Sequence, residues 1–485
     1  MPVDILIVAI NARYSHCSFS GLTLLANLGD LQPRAALLES DLETQPLQIT
    51  TQILERRPRL VGFSVYLWNT RMVRDILELL RRVAPELKII LGGPEIVPNC
   101  TANWQGLADA LVCGEGEVAF REWCTKTLLG AASGAPPASP EWIEVTGGVP
   151  AGLLTLPYEL YRETDIQRRV TYVESARGCP HHCLYCTSCG TGLRLFPLPE
   201  LLAAWSRLID RGLRQFRFLD RTFNADEAHA CAVLDFFLQG GVSGLQLHLE
   251  LSPVNFGSPL RERLAAFPSN ALHIEAGLQS LNEAVTRRIG RNEPRTEAFE
   301  ALVFLQNETR CALHADLIFG LPGEDEASFA EGFDRLVRLA IPEIQVNRLK
   351  GLPGTPMLQL PECAGTFSPH PPYDVLRTDC LSFDDLTRMQ RFSLVWDRLN
   401  NRGRFKHTLP LLWQDDETSP YAMISDLAET ADRQHGRVHA LGLRDWVRLL
   451  VQRLLARRPA DRDVIASALK RDGLALSPTE LELSY

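Results

Sequence analysis

The sequence predicts an α/β chain in three parts: an N-terminal Rossmann-like doubly wound parallel sheet, a central partial (β/α)6 TIM barrel and a mainly helical C-terminal extension. Three observations carry this. Apolar strand patterns alternate with amphipathic helical ones through the first part of the chain. A second alternation, of six strand–helix units, follows a stretch rich in Gly, Ala, Ser and Pro between Ala131 and Pro157. Beyond residue 366 the strand patterns stop and helical periodicity takes over. The boundaries read from these changes are 1–135 for the sheet, 136–165 for a linker, 166–365 for the barrel and 366–485 for the extension.

A length of 485 residues suits about three domains. The 45% hydrophobic content is enough for real cores. No stretch approaches the roughly 20 apolar residues of a membrane span. The opening Met1-Pro-Val-Asp-Ile-Leu-Ile-Val8 runs directly into a strand pattern and lacks the features of a signal peptide. A cytoplasmic protein is expected, with no membrane partner. A net charge of -9 argues against a strongly basic nucleic-acid binder. Twelve cysteines in such a chain read as thiols or metal ligands, not as a disulfide framework. Nine of them (Cys17, Cys100, Cys113, Cys124, Cys189, Cys231, Cys311, Cys363 and Cys380) are scattered and read as small buried hydrophobes.

Taking the chain in order, Val3 to Ile10 reads as a buried parallel strand. A polar loop, Asn11 to His16, follows, then a helix over Phe19 to Leu28 with Ser18 or Ser20 as its N-cap. Apolar strands recur at Leu60 to Val65, Lys88 to Leu91 and Ala110 to Cys113, with a clear helix over Thr70 to Val83. Their ends carry Ser64-Val-Tyr66-Leu-Trp68-Asn69, Gly92-Gly93-Pro94-Glu95 and Gly114-Glu115-Gly116-Glu117. In open α/β sheets ligands bind beyond the carboxyl ends of strands. Glycines there either admit a ligand close to the backbone or simply make tight turns.

The barrel part begins with the strand Val170 to Glu174, which delivers Cys179, Cys183 and Cys186. Three local thiolates on a four-iron cluster leave one iron open. Tyr185 is placed to pack over whatever occupies it. A zinc site completed by His181, His182 or Cys189 is the competing reading. The next strands end on Asp220-Arg-Thr-Phe-Asn224, on Glu250, on Gln279 and on Gly320, the last preceded by Asp316; the sixth runs from Glu343 to Leu349. Glu250 lies among apolar neighbours, so its carboxylate faces the barrel interior and wants donors; Arg217 or Arg291 is the alternative partner. In the extension, Phe383 to Leu399 and Asp445 to Arg458 read as amphipathic helices, the second with an arginine-rich solvated face.

Cys179-x3-Cys183-x-Tyr185-Cys186 resembles the signature of the radical S-adenosylmethionine (SAM) enzymes. The glycine-rich strand ends of the first part resemble the cobalamin-binding domain fused to many of them. The resemblance implies a [4Fe-4S] cluster on Cys179, Cys183 and Cys186, with SAM on the open iron and cleaved to a 5′-deoxyadenosyl radical. It implies SAM contacts at Tyr185, Asp220, Glu250, Gln279, Arg291 and Asp316. For cobalamin it implies Asn11, Tyr14, His16, Ser64, Tyr66, Trp68, Asn69, Gly92, Gly93, Glu95, Gly114 and Glu115. Two departures stand out. The Asp-x-His-x-x-Gly cobalamin motif is absent: His16 has no Asp two residues before it, and Gly21 lies five after. The Gly-Gly-Glu element that grips the SAM amine is replaced by Asp220-Arg-Thr-Phe-Asn224.

The activity this implies is methylation of an unactivated carbon through methylcobalamin, with a flavodoxin- or ferredoxin-type electron donor. The substrate is not specified. The alternatives are a non-methylating cobalamin radical SAM enzyme (cyclisation, ring contraction or oxidation), a methylthiotransferase-like enzyme with a second cluster on Cys17, Cys100 and Cys113, and a non-enzymatic cobalamin-binding module.

Overall fold

In the computed structural model, residues 3–474 are described, apart from 131–136, 138, 415, 416, 437, 439 and 440. The first sheet has six parallel strands: β1 (Ile5–Asn11), β2 (Ala35–Asp41), β3 (Leu60–Ser64), β4 (Lys88–Gly92), β5 (Ala110–Cys113) and β6 (Glu141–Glu144). Their order is β2-β1-β3-β4-β5-β6, so the winding reverses between β1 and β3. β1 and β3 are buried almost throughout, because helices cover both faces. The helix Thr70–Val83 buries Val73, Ile76, Leu77 and Leu80, one face at helical spacing. The helix Phe19–Ala26 starts at Ser18, whose hydroxyl accepts from the Gly21 amide at 3.2 Å.

Two strands of this sheet go beyond the sequence reading. β2 shows only one fully buried residue, Leu38, and its apolar run, Ala35 to Leu38, is short and gives way to Glu39-Ser-Asp41. β6 lies inside the segment expected to be a linker and pairs with β5 from Ala110↔Glu141 to Cys113↔Glu144.

The second sheet is also all parallel, in the order β14-β13-β12-β11-β10-β7. Its strands are β7 (Tyr172–Val173), β10 (Gln215–Phe218), β11 (Gln246–Leu251), β12 (Leu272–Gln279), β13 (Ala312–Phe319) and β14 (Glu343–Arg348). A short antiparallel pair, β8 (Ala176–Arg177) with β9 (Arg194–Leu195), brackets the cysteine loop. Along β11 and β12 burial alternates strictly. Leucines and isoleucine face the helices while His248, Glu250, His273 and Glu275 face the concave side. That side of the half-barrel is therefore polar.

A partial barrel leaves edge strands exposed. Here the extension covers β14. The helix Phe383–Trp396 lies along it, with Ser393 Oγ donating to the Val346 carbonyl at 2.6 Å and Trp396 Nε1 to that of Ile344 at 2.8 Å. Asn401 pairs with both backbone groups of Ile344. An aromatic cluster of Phe333, Phe392, Trp396 and Tyr421 then joins barrel helix to extension, with ring centroids 4.4–4.9 Å apart in its closest pairs. Further helices follow at Pro420–His435, Leu443–Arg457 and Arg462–Arg471. Cys380, expected inside, is exposed, and Cys113, Cys189 and Cys311 are only partly covered; the other five scattered cysteines are buried. Among the described residues, no helix is long and apolar enough to cross a membrane.

Candidate active site at the junction of the two sheets

Two cavities open where the carboxyl ends of the two sheets meet. The first, of about 750 Å3, lies beyond β1, β3, β4 and β5, at the point where the winding reverses. Of the residues expected to contact cobalamin, Asn11, His16, Ser64, Tyr66, Trp68, Gly92, Gly93, Gly114 and Glu115 line it. Tyr66 and Trp68 stack with centroids 4.4 Å apart and planes within 8°. His16 is fixed by its Nδ1 contact with the Tyr172 hydroxyl at 2.6 Å. Burial and the nearby Arg217, Arg13 and Arg169 lower its pKa, which keeps the ring neutral.

Three expected contacts do not line this cavity. Tyr14 is 66% exposed and lies under the Arg169 guanidinium instead. Asn69 is fully buried and acts as a clamp. Its amide donates to the Ile10 and Ser64 carbonyls, both at 3.1 Å, and its oxygen accepts from the Tyr66 amide. It thus joins the ends of β1 and β3. Glu95 is buried with its carboxylate 2.7 Å from the Tyr373 hydroxyl, tying the sheet to a distant loop. Each is a short-range polar residue at a strand end, and sequence position alone does not separate a ligand contact from a structural clamp.

The second cavity, of about 440 Å3, is lined by Cys179, Cys183 and Cys186 together with Tyr185, Glu250, Gln279, Arg291 and Asp316. The cysteine loop is anchored by Cys179 N–H donating to Thr191 Oγ1 at 3.2 Å and by Leu184 N–H donating to the Ile289 carbonyl at 2.9 Å. The Ser188 amide approaches Cys186 Sγ at 3.4 Å. Around one zinc ion, thiolates 2.3 Å from the metal stand about 3.8 Å apart. Among the described residues, the three sulfurs are not gathered within 4.8 Å of one another. Burial pushes the Cys183 thiol up to about 11, so a thiolate there needs a metal to hold it.

Asp220 does not line this cavity. It is 1% exposed and accepts from the Ser175 amide at 2.9 Å and the Ser175 hydroxyl at 2.5 Å, tying the strand end after β10 to the chain after β7. Its neighbours Arg221 and Thr222 line the cavity in its place, and Thr222 Oγ1 is 3.5 Å from Cys179 Sγ. Arg291 is present, but its Nε and Nη2 are both spent on Glu293 at 3.2 and 2.9 Å. Its fork is not free to hold a carboxylate with both arms. Glu293, which the sequence reading passed over, also meets His181 of the cysteine loop at 3.2 Å and Arg295 at 3.0 Å. A carboxylate two residues after an arginine was the only sequence signal for it.

Gln279 has φ +69, in a region where only glycine is unstrained, next to a register shift in the β12–β13 ladder. Such backbone strain clusters at functional sites. Glu250 feels burial first, then Arg221 against Glu275 and Asp316, and its carboxyl is pushed up to about 7.

The seam between the cavities is an ion network that sequence reasoning missed. Arg177, just before the cysteine loop, pairs with Glu117 and Glu174, each at 2.7 Å. Arg194 pairs with Glu115, whose carboxylate also accepts from the Val149 amide at 2.8 Å. The Gly-Glu-Gly-Glu turn thus spends both carboxylates on the cysteine-loop hairpin. Arg221 and Glu250 line both cavities, so these open onto a common wall.

Comparison with known proteins adds the following. Residues 6–123 match the B12 binding domain, residues 173–336 the radical SAM superfamily, and residues 364–479 a family described as a protein of unknown function, DUF4080. The 2-(S-pantetheinyl)-carbapenam-3-carboxylate methyltransferase of Streptantibioticus cattleyicolor is 24% identical over 64% of this chain and 49% of its own. The chain thus spans about half the length of this curated relative. The fold matches OxsB, solved with aqua-cobalamin and SAM, at a TM-score of 0.64 and 14% identity over 99% of this chain and 83% of that one. It matches TsrM of Kitasatospora setae, a radical SAM methyltransferase solved with cobalamin and a [4Fe-4S] cluster, at 0.61 and 15% over 97% and 100%.

Proposed function

We propose, from a chain that joins a B12-binding domain to a radical SAM domain, that it is a cobalamin-dependent radical SAM enzyme methylating an unactivated carbon. The observation that carries this reading is the common wall. Arg221 and Glu250 face the cavity beyond the first sheet and the cavity of the three cysteines at once. A substrate lodged there meets both.

The residues present fit both cofactors. Three thiols share one cavity that has space beside them, and a larger glycine-lined cavity sits at the switch point. When bound, the cluster supplies the electron that splits SAM into methionine and a 5′-deoxyadenosyl radical, and cobalamin supplies the methyl group. The protein holds and insulates. Cys179, Cys183 and Cys186 hold the cluster, and His181 is braced by Glu293. Tyr185, Gln279, Asp316 and the remaining arm of Arg291 face the SAM space. Glu250, with its carboxyl near neutrality, accepts hydrogen bonds from SAM or substrate when ionised and donates one when protonated. Phe19, Leu24 and Phe120 give the larger cavity an apolar wall that keeps water from reactive intermediates. Electrons come from a flavodoxin- or ferredoxin-type partner, in a cytoplasmic setting.

The test is anaerobic. The full chain is reconstituted with iron, sulfide and hydroxocobalamin, desalted, and given SAM and a strong reductant. About four irons and one cobalt per chain, with both 5′-deoxyadenosine and S-adenosylhomocysteine, support the reading. Deoxyadenosine without cobalt or homocysteine removes methyl transfer from it. The cysteine-to-alanine triple variant should lose iron and SAM cleavage together; surviving cleavage would refute the cluster assignment.

A further inference from the structure

Beneath the cavity of the three cysteines, the concave face of the half-barrel carries a second group of metal-ligating side chains that the proposed reaction does not use. His248 on β11 and His273 on β12 are register partners, as are Glu275 on β12 and His314 on β13, and His314 and Glu343 on β14. Neighbouring parallel strands lie about 4.8 Å apart, so register partners on one face present their side chains side by side. The His248 and His273 rings stack with centroids 4.3 Å apart, and His248 Nε2 is 2.5 Å from Glu275 Oε1. One ligand atom each from His248, His273 and Glu275 lies within 4.8 Å of the other two, and the same holds for His273, His314 and Glu343.

A cluster of polar side chains is often only a hydrogen-bond network. One observation points past that. His273 Nε2 is sealed from solvent and has no hydrogen-bond partner. The His314 side chain is 5% exposed, and its Nε2 meets Asp316 Oδ1 at 3.2 Å. A buried ring nitrogen without a partner is costly, and one set among histidines and carboxylates calls for an occupant that accepts its lone pair. Every strand packed against the group contributes. Arg217 from β10 donates to Glu275 Oε1 at 3.4 Å, with its side chain 38% exposed.

We propose that the floor of the half-barrel binds one divalent transition-metal ion of the zinc class through His248, His273 and Glu275, with His314 and Glu343 at its side. Two imidazoles and a carboxylate are a common zinc donor set. The ion joins β11 and β12 across their hydrogen-bonded ladder. It fixes Glu275, which also lines the catalytic cavity above. No sulfur is involved, so the site is chemically distinct from the cysteine loop.

The test uses the full-length holoenzyme purified without chelators and equilibrated with micromolar zinc. Zinc and iron per chain are measured by mass spectrometry, and the zinc environment by X-ray absorption. The expected result is about one zinc per chain with nitrogen and oxygen neighbours at about 2.0–2.1 Å and no sulfur at about 2.3 Å. His273→Gln should lower bound zinc at least tenfold with iron unchanged. If that variant does not accumulate as folded protein, Glu275→Gln replaces it, and the absorption spectrum of the wild type decides without either. A chain that retains no zinc, a sulfur shell that places zinc on the cysteine loop, or zinc unchanged in the variants overturns the proposal.

Discussion

Replacing Gly178 with alanine tests the cysteine loop at the position with the least room. Gly178 sits at φ +85 between β8 and Cys179, and a Cβ built on it would lie 1.7 Å from the Gly192 carbonyl oxygen. Real Cβ contacts of this kind stop near 3.0 Å, so the facing backbone must retreat by the difference, 3.0 minus 1.7, or about 1.3 Å. The obstacle is backbone, which no rotamer change relieves. A retreat of that size also breaks the 3.2 Å bond from the Cys179 amide to Thr191 Oγ1, one residue away from Gly192. Alanine at positive φ costs about 1–2 kcal/mol, and the lost hydrogen bond about 1 kcal/mol more. With residual crowding the loop is destabilised by roughly 2–4 kcal/mol, a 30- to 1,000-fold shift away from the cluster-holding conformation. Gly192→Ala is the control. It lies on the same loop at φ +68 with nothing within 4 Å of its Cβ, so it carries the dihedral cost without the collision. The assay is iron per chain after anaerobic reconstitution, with hydroxocobalamin binding as the check that the first domain is intact. Gly178→Ala should lose most iron and keep cobalamin, and Gly192→Ala should keep both. Equal iron in the two variants would refute the collision argument.

Three further outcomes are expected. Arg177→Met leaves Glu117 and Glu174 without their buried counter-charge, which costs about 3–5 kcal/mol; a urea unfolding free energy within 1 kcal/mol of wild type would sink this. Above about pH 8, where the Glu250 carboxyl is ionised, Glu250→Gln removes a charge-assisted acceptor of about 1.5–3 kcal/mol, so the SAM dissociation constant measured there by titration calorimetry should rise roughly 10- to 150-fold; an unchanged constant would remove Glu250 from the SAM contacts. Burial pushes the Asp220 carboxyl up from 3.8 to about 7 against the hydrogen bonds from Ser175. Between those values the folded chain holds a proton that the unfolded chain has released, so this group's contribution to stability falls as pH rises through the window and is lost above about 7. Asp220→Asn should flatten the fall in melting temperature between pH 5 and 7.5; a wild-type slope in the variant would show that other groups carry it.

Much of the framework is written in contiguous residues. Cys179, Cys183 and Cys186 reach one cavity because their spacing is a property of a single loop. The strands β1, β3, β4 and β5 follow from apolar runs, the last two closed by Gly-Gly-Pro and Gly-Glu-Gly turns, since burial on both faces demands an unbroken apolar pattern. The polar edges were harder. β2 and β6 carry only short apolar stretches next to charged residues, because an edge strand satisfies only part of its surface against the core. Among the expected contacts, the cavity-lining residues and the clamps Asn69, Glu95 and Asp220 have the same local signature. Which of these a residue becomes depends on partners at Ile10, Tyr373 and Ser175, and the Glu95–Tyr373 pair spans 278 positions of sequence. The tertiary structure alone decided the Arg177–Glu117 seam, the wall that Arg221 and Glu250 share, and the grouping of His248, His273, Glu275 and His314. Each depends on how strands joined by long crossover connections settle in register. A crossover fixes which strands are neighbours, whereas the side chains that meet across them are set by packing of the whole sheet.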